Sequence, residues 1–583
     1  MHSSVFTFKI GGEAGFGIMS AGLAFSKIAA RSGYFIFDYV EYPSLIRGGH
    51  NVMQTSVSEY PVTSQYKSTD FLIALNQETI DFHSDELNNG AYLLYDGEQS
   101  MKVDNVMEGV TVISIPFDQI ARTAGGSILM RNTASLGATV FLLGGNLQIL
   151  KDIIAEEFGK GKEAIIQKNW NVAQAGYDYA LENYSNKVRD VLRPKDQIED
   201  NIIVTANDAV ALGAIAGGLQ FASIYPMTPT SNILSILAPQ QEKYGFIYKQ
   251  PEDEISAINM AIGASYAGVR SMVATSGGGF CLMTEGYGLA GMTEVPIVII
   301  EGMRGSPATG LPSWTEQGDL RFVLHAHQGD FPRIILAAGD VEEAFYLTME
   351  AFNLADKYQT PVIVLIDKYI CESHMSIKPF KYDNYVVDRG KFTKEKVLDY
   401  ARYALSEDGI SVRTIPGVDN FYITNSDEHT DEGYSTEVAH IRREQMQKRM
   451  KKIETCEKKD MQEPIVFGPK DADTTIVSWG SNKGPILEAM KDMPSVNYVH
   501  IQWMNPFPAD SLRKLLENAK HIVNIECNYT AQMGGLIREK TGIQITDNLL
   551  KYDGRPFHPE EIREKILKQL DEHITTLPIQ QFV

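Results

Sequence analysis

The chain has 583 residues, 44% of them hydrophobic, and a formal net charge of −21. That length suggests about three or four domains. The acidity argues against a nucleic-acid binder, and no apolar run approaches the ~18 residues a membrane-spanning helix needs. The four cysteines, Cys281, Cys371, Cys456 and Cys527, are far apart with no C-x-x-C, so zinc and iron–sulfur sites lack their usual spacing here.

MHSSVFTFKI enters an apparent strand directly, without a signal-peptide pattern, so a cytoplasmic protein is expected. Residues 4 to 40 read strand, Gly loop, helix, strand. Gly11, Gly12, Gly15 and Gly17 form part of a dinucleotide-like fingerprint, and Asp38 ends the second strand roughly where a ribose-binding acid would sit. Such loops also form where another ligand's phosphate meets a helix start. No second His or Cys lies near His50 in sequence, so it reads as a structural or rim residue. A helical pattern from Trp170 to Val191 closes this module at 191, and LRPKDQIED, 192–200, reads as a linker.

From 201 to 380, strand and helix patterns alternate, as in a doubly wound parallel sheet. Gly213, Gly217 and Gly218 suggest a helix packed closely on the sheet. The densest chemistry lies between 221 and 330: YPMTPTS, PEDE before a small-residue helix, TSGGG, and RGSPATGLPS. Apolar runs such as Val269–Ala274 and Val295–Ile300 end in polar loops, which delivers those loops to the sheet edge where α/β folds bind ligands. Glu254 precedes a helix whose Ala257, Ala261, Ala264 and Gly268 leave one face nearly bare. If it is buried, desolvation outweighs the helix N-terminus and raises its pKa, whereas a solvated helix-start Glu would have no such role. Thr228 lies in a turn pinned by two prolines, and its plain role is a helix N-cap. Arg304 follows the Val295–Ile300 run and could clamp a carboxylate bidentately or simply sit at the surface. Cys281 reads as a buried thiol.

Residues 381–463 are charged and poor in apolar groups, as if an acidic loop led into a basic, solvated helix. The last module, 464–583, again alternates apolar runs and helices.

In their order, YPMTPTS, PEDE, TSGGG and RGSPATGLPS resemble the α subunit of the 2-oxoacid:ferredoxin oxidoreductases, thiamine diphosphate enzymes that oxidise 2-oxoacids to acyl-CoA. EYPSLIRGGHN, 41–51, resembles the family's γ module, and IECNYTAQMGGLIR a segment of its transketolase C-terminal-like domain. The resemblance implies three α/β modules: a Rossmann-like γ domain, a pyrimidine-binding doubly wound domain, and the transketolase C-terminal-like domain. It implies that Glu254 pairs with the cofactor aminopyrimidine, with Tyr225 and Pro226 on the pyrimidine side. Thr228, Arg304 and Ser313 would serve the substrate carboxylate, and the Gly11–Gly17 loop would cradle a coenzyme A phosphate. The loop departs from the family pattern at Ser306, Ala308 and Ser313.

Gly318-Asp319, Gly329-Asp330 and Gly339-Asp340 lack the following Gly and Asn pair that grip Mg²⁺ and the diphosphate. Half a cofactor site is therefore expected, completed by a β subunit bearing Mg²⁺ and a [4Fe-4S] cluster in an αβ or (αβ)₂ assembly, with ferredoxin as acceptor. The fused γ–α order favours 2-oxoglutarate, with pyruvate and branched 2-oxoacids as alternatives. The rivals are an NAD-linked dehydrogenase using the Gly loop and a degenerate scaffold subunit.

Overall fold

The computed structural model describes residues 5–43, 49–103 and 106–576, with side chains as far as residue 568. Part of the EYPSLIRGGHN segment, 44–48, lies outside the described residues. The chain divides into two compact units. One runs through Val204 and adds Ser373–Pro379 and the stretch from His558; the other holds Thr205–Glu372 and Phe380–Phe557. Among the described residues no helix is long and apolar enough to cross a membrane.

The first unit is built on an eight-stranded sheet. Its strands are β1 (Phe6–Glu13), β2 (Phe35–Glu41), β3 (His50–Ser58), β4 (Thr69–Ala74), β5 (Leu87–Asp96), β6 (Thr111–Ile115), β7 (Ile202–Val204) and, from later in the chain, β14 (Met375–Ile377). The order is β6-β5-β4-β1-β3-β2-β14-β7. Helix α1 (Ile18–Arg31) lays Ile18, Ala21, Phe25 and Ile28 on the sheet, and Phe25 stacks on Phe8 with ring centroids 3.6 Å apart.

The expected strand–loop–helix–strand order is present, but β3 lies antiparallel between β1 and β2. A dinucleotide fold needs those two strands parallel and adjacent. Asp38 is fully buried, accepting hydrogen bonds from the His374 backbone N–H (2.7 Å) and Ser26 Oγ (3.0 Å). It ties β2 to the 373–379 segment instead of facing a ribose.

The second unit holds two sheets. The larger contains β8 (Phe221–Ser223), β9 (Ile247–Lys249), β10 (Ser271–Thr275), β11 (Ile297–Met303), β12 (Ile334–Ala337), β13 (Pro361–Asp367) and β18 (Trp503–Asn505), in the order β18-β12-β13-β11-β10-β8-β9. Every pairing is parallel except that of β18. IVIIEGM and PVIVLID are buried at every position, as strands covered on both faces must be. The smaller sheet orders β15 (Ile465–Phe467), β17 (Val496–Ile501), β16 (Thr474–Trp479), β19 (His521–Glu526) and β20 (Asp547–Leu550).

Two local expectations are corrected. Gly213 serves helix-on-helix packing: it lies in α2 (Ala206–Ala216), where a Cβ would stand 2.5 Å from the carbonyl oxygen of Phe345. The basic helix, Ala439–Lys459, is not a solvated cationic face. Its Lys448, Arg449 and Lys452 are buried, with Lys448 and Lys452 each 2.7 Å from the carboxylate of Glu294, and Arg449 on Glu428. Ion pairs attach this helix where apolar side chains are scarce.

Candidate active site

The site forms where β8, β10, β11 and β13 end, because parallel strands release their loops at one edge. The helix α3 (Glu254–Tyr266) begins at Glu254, with Asp253 as N-cap accepting from Ser256 N–H at 2.7 Å. Ala257 and Ala261 are fully buried, and α3 packs on α4 (Gly277–Met292), where a Cβ on Gly286 would stand 2.8 Å from Ile258. Glycine at 286 is what admits Ile258 of α3 this closely.

Glu254 is 3% exposed and its Oε1 is buried without a hydrogen-bond partner. A Cβ on Gly279 would stand 2.5 Å from that oxygen, so only glycine fits beside it. The helix-start glutamate in water is thereby overturned. A buried polar atom left unpaired costs about 1–3 kcal/mol, more if charged, so its retention needs a reason.

The turn after β8 closes on this point. Met227 Sδ lies 3.8 Å from where a Cβ on Gly278 would be, and a Cβ on Gly302 of β11 would stand 2.5 Å from Thr230. Thr230, not Thr228, holds the N-cap position of the following helix, its hydroxyl donating to the Met227 carbonyl at 3.0 Å and making no cap bond. Tyr225 is half-buried and Pro226 exposed on this turn. Arg304 Nη1 donates to the backbone carbonyl of Thr228 at 2.8 Å, which joins these two residues.

Ser313 lies in the same 304–319 loop, buried, its Oγ without a partner. The loop is folded on itself by Gly305 N–H to Trp314 O (3.0 Å) and Leu311 N–H to Gly305 O (2.8 Å). Gln317 pins its far end: it donates to Trp479 O and accepts from Asn482 Nδ2 and Cys527 N–H, at 2.9, 2.7 and 2.9 Å.

Sequence reasoning missed four further acids here. Glu301, on β11 in register with Thr275, is fully buried, and Asp319 is 8% exposed. Burial, then Asp319, pushes the Glu301 carboxyl well above its usual range. Burial also raises Asp319, while Glu301 and Arg304 pull it back. Asp367, at the end of β13, is pushed up to about 6 by burial, and the half-buried Glu316 is also raised by burial. For Glu301 and Asp367 the available signal was an acid within, or at the end of, an otherwise apolar strand; Glu316 and Asp319, in the loop, carried none. Cys281 is exposed, against expectation, while Cys371, Cys456 and Cys527 are buried.

In the first unit, Gly11 and Gly12 belong to β1, and only Gly15 and Gly17 have positive φ, at 96° and 69°. Cβ atoms on Gly11 and Gly17 would stand 2.6 Å from Thr79 and 2.5 Å from Asn132, which explains both by close packing. His50 has a histidine neighbour in space: its Nε2 is 2.9 Å from His83 Nε2, and burial and that ring hold its pKa down at about 4.

Two family models match the chain: "Pyruvate flavodoxin/ferredoxin oxidoreductase, thiamine diP-bdg" over residues 212–461 and "Pyruvate ferredoxin/flavodoxin oxidoreductase" over 7–179. A 2-oxoacid:ferredoxin oxidoreductase subunit alpha from Sulfolobus sp is 34% identical over 97% of both chains. The 2-oxoglutarate synthase subunit KorA of Methanothermobacter thermautotrophicus is 32% identical across 63% of this chain and 99% of its own. Among solved structures, the 2-oxoglutarate:ferredoxin oxidoreductase from Magnetococcus marinus, with 2-oxoglutarate, coenzyme A and succinyl-CoA bound, matches with a TM-score of 0.91 and 32% identity, covering 98% of this chain and 100% of that one. With the second unit carrying a thiamine diphosphate-binding domain, this chain belongs to the 2-oxoacid:ferredoxin oxidoreductase family as an α subunit.

Proposed function

We propose that this chain is the γ–α half of an enzyme that oxidatively decarboxylates 2-oxoglutarate with coenzyme A, giving acyl-CoA and CO₂ and passing two electrons to ferredoxin. A β subunit holds the cofactor's diphosphate, Mg²⁺ and a [4Fe-4S] cluster. The observation that carries this reading is the partnerless buried oxygen of Glu254 at the sheet edge. It fits the pyrimidine ring of thiamine diphosphate, whose nitrogens would supply the missing hydrogen bond. When bound, the cofactor supplies the nucleophilic carbon and the electron sink for decarboxylation.

Glu254 acts by holding or releasing a proton at that ring nitrogen, and the enclosure by Gly279 keeps water from competing for it. Arg304 and the Thr228 turn, already joined, clamp the 2-oxoacid carboxylate, and the unpartnered Ser313 Oγ adds a donor. Tyr225 and Pro226 border the pyrimidine. The loop of Gly11, Gly12, Gly15 and Gly17 would receive a coenzyme A phosphate at the start of α1, a reading supported by the positive φ of Gly15 and Gly17.

The choice of 2-oxoglutarate follows the fused γ–α order and the names of the M. marinus and M. thermautotrophicus relatives. Assay of the assembled enzyme on 2-oxoglutarate, pyruvate and a branched 2-oxoacid tests it: the highest kcat/KM belongs to 2-oxoglutarate, and a higher value for pyruvate would reassign the substrate. Glu254→Gln tests the site itself. A retained rate would make the chain a scaffold.

A further inference from the structure

Glu301 and Asp319 take no part in the proposed chemistry, yet both are buried acids at the site, Glu301 completely. Glu301 lies three residues before Arg304, is fully buried, and neither oxygen makes a hydrogen bond of ordinary geometry. The titratable groups facing it are Asp319 from the loop, Cys281 from α4, Asp367 from β13 and Cys371 from the helix Lys368–Glu372. None is a cation. Asp319 is pressed against α4, since a Cβ on Gly277 would stand 2.6 Å from its Oδ2, and the cation it senses is Arg304. Two carboxyls side by side in a dry enclosure do not both ionise; they share one proton.

We propose that Glu301 is a positioning residue: its carboxyl keeps the shared proton, donates it to Asp319, and so fixes a single negative charge beside the Arg304 guanidinium. Asp319 then steers Arg304 from one side while the Thr228 carbonyl holds Nη1 on the other. The inference rests on Arg304 serving the substrate carboxylate. It adds that the clamp's orientation is set by a neutral acid behind it. Above the pair's second ionisation a further negative charge appears beside Arg304 and competes with the substrate, so the KM for the 2-oxoacid rises with pH.

The test uses the assembled enzyme with Glu301→Gln, which still donates, and Glu301→Leu, of similar volume, which cannot. Glu301→Gln keeps the 2-oxoacid KM within about twofold and flattens its rise at alkaline pH, while Glu301→Leu raises KM about tenfold and leaves the KM for coenzyme A unchanged. In an Arg304→Ala background the Leu effect disappears, since the two residues act as one unit. Infrared spectra at neutral pH add a readout independent of turnover: a protonated-carboxyl band present in the wild type is lost in Glu301→Gln. If Glu301→Gln raises KM as much as Glu301→Leu, or if no such band is lost, the inference is wrong. If Glu301→Leu does not fold, the Gln pH profile and the infrared band decide. If Arg304→Ala leaves KM unchanged while the band is present, the clamp reading fails and the shared proton stands.

Discussion

Glu294 and Glu254 are both buried glutamates of the same unit, and the fold treats them in opposite ways. Glu294 is fully buried and met by Lys448 and Lys452, while Arg402 donates to its backbone carbonyl at 2.8 Å. Against the desolvation that would raise it, these cations draw its carboxyl far below the usual range. Glu254, 3% exposed, is left with an unpaired oxygen beside a glycine. Where the chain needs a buried acid only for architecture, it supplies the counter-charges itself. At Glu254 it withholds them, and the partner proposed for that oxygen is the cofactor.

The difference can be broken from either side. Glu294→Gln leaves two buried lysines without their anion and should destabilise the second unit by about 3–5 kcal/mol, read by chemical denaturation. Glu254→Gln should leave stability unchanged or slightly higher, yet lower kcat of the assembled enzyme by about 10²–10⁴-fold. If the two variants exchanged these phenotypes, the contrast would collapse. Arg304→Ala should raise the 2-oxoacid KM and cost about 1.5–3 kcal/mol in kcat/KM, the worth of a charged hydrogen bond. An unchanged KM would remove Arg304 from the carboxylate site.

A smaller effect separates the two regions by pH. Against desolvation, Arg449 and Arg442 hold the Glu428 carboxyl down to about 2, below its ordinary 4.5. Its contribution is therefore complete above pH 4.5 and is lost as pH falls toward 2. Glu301 is raised well above 4.5, so its contribution is complete below that value and is lost as pH rises through its folded pKa. Arg449→Met should flatten the acid limb of stability, whereas Glu301→Gln should gain on the wild type as pH rises. Identical pH profiles for the two variants would contradict this assignment.

The sequence made one side of this contrast legible and hid the other. Pro-pinned turns, glycine runs and apolar strands ending in polar residues place Glu254, Thr228 and Arg304 at one sheet edge, because local pattern determines where strands end. The shared proton of Glu301 and Asp319 is invisible in sequence, since eighteen positions and a folded loop separate two acids that only tertiary structure brings together. The Ala439–Lys459 helix misled for the converse reason. Lys448 and Lys452 share a helix face, but their composition is that of a solvated surface until Glu294 is found beneath them. The Gly11–Gly17 pattern suggested a dinucleotide loop because spacing alone cannot reveal that β3 intervenes between β1 and β2.

The central claim is that the open valence at Glu254 belongs to the cofactor's aminopyrimidine ring. The most direct measurement is an experimental structure of the assembled enzyme with thiamine diphosphate bound, reading the distance from Glu254 Oε1 to the nearest pyrimidine nitrogen. A separation of about 2.6–3.2 Å is expected. A pyrimidine seated elsewhere, with the Glu254 carboxyl paired to protein or open to water, would contradict the account.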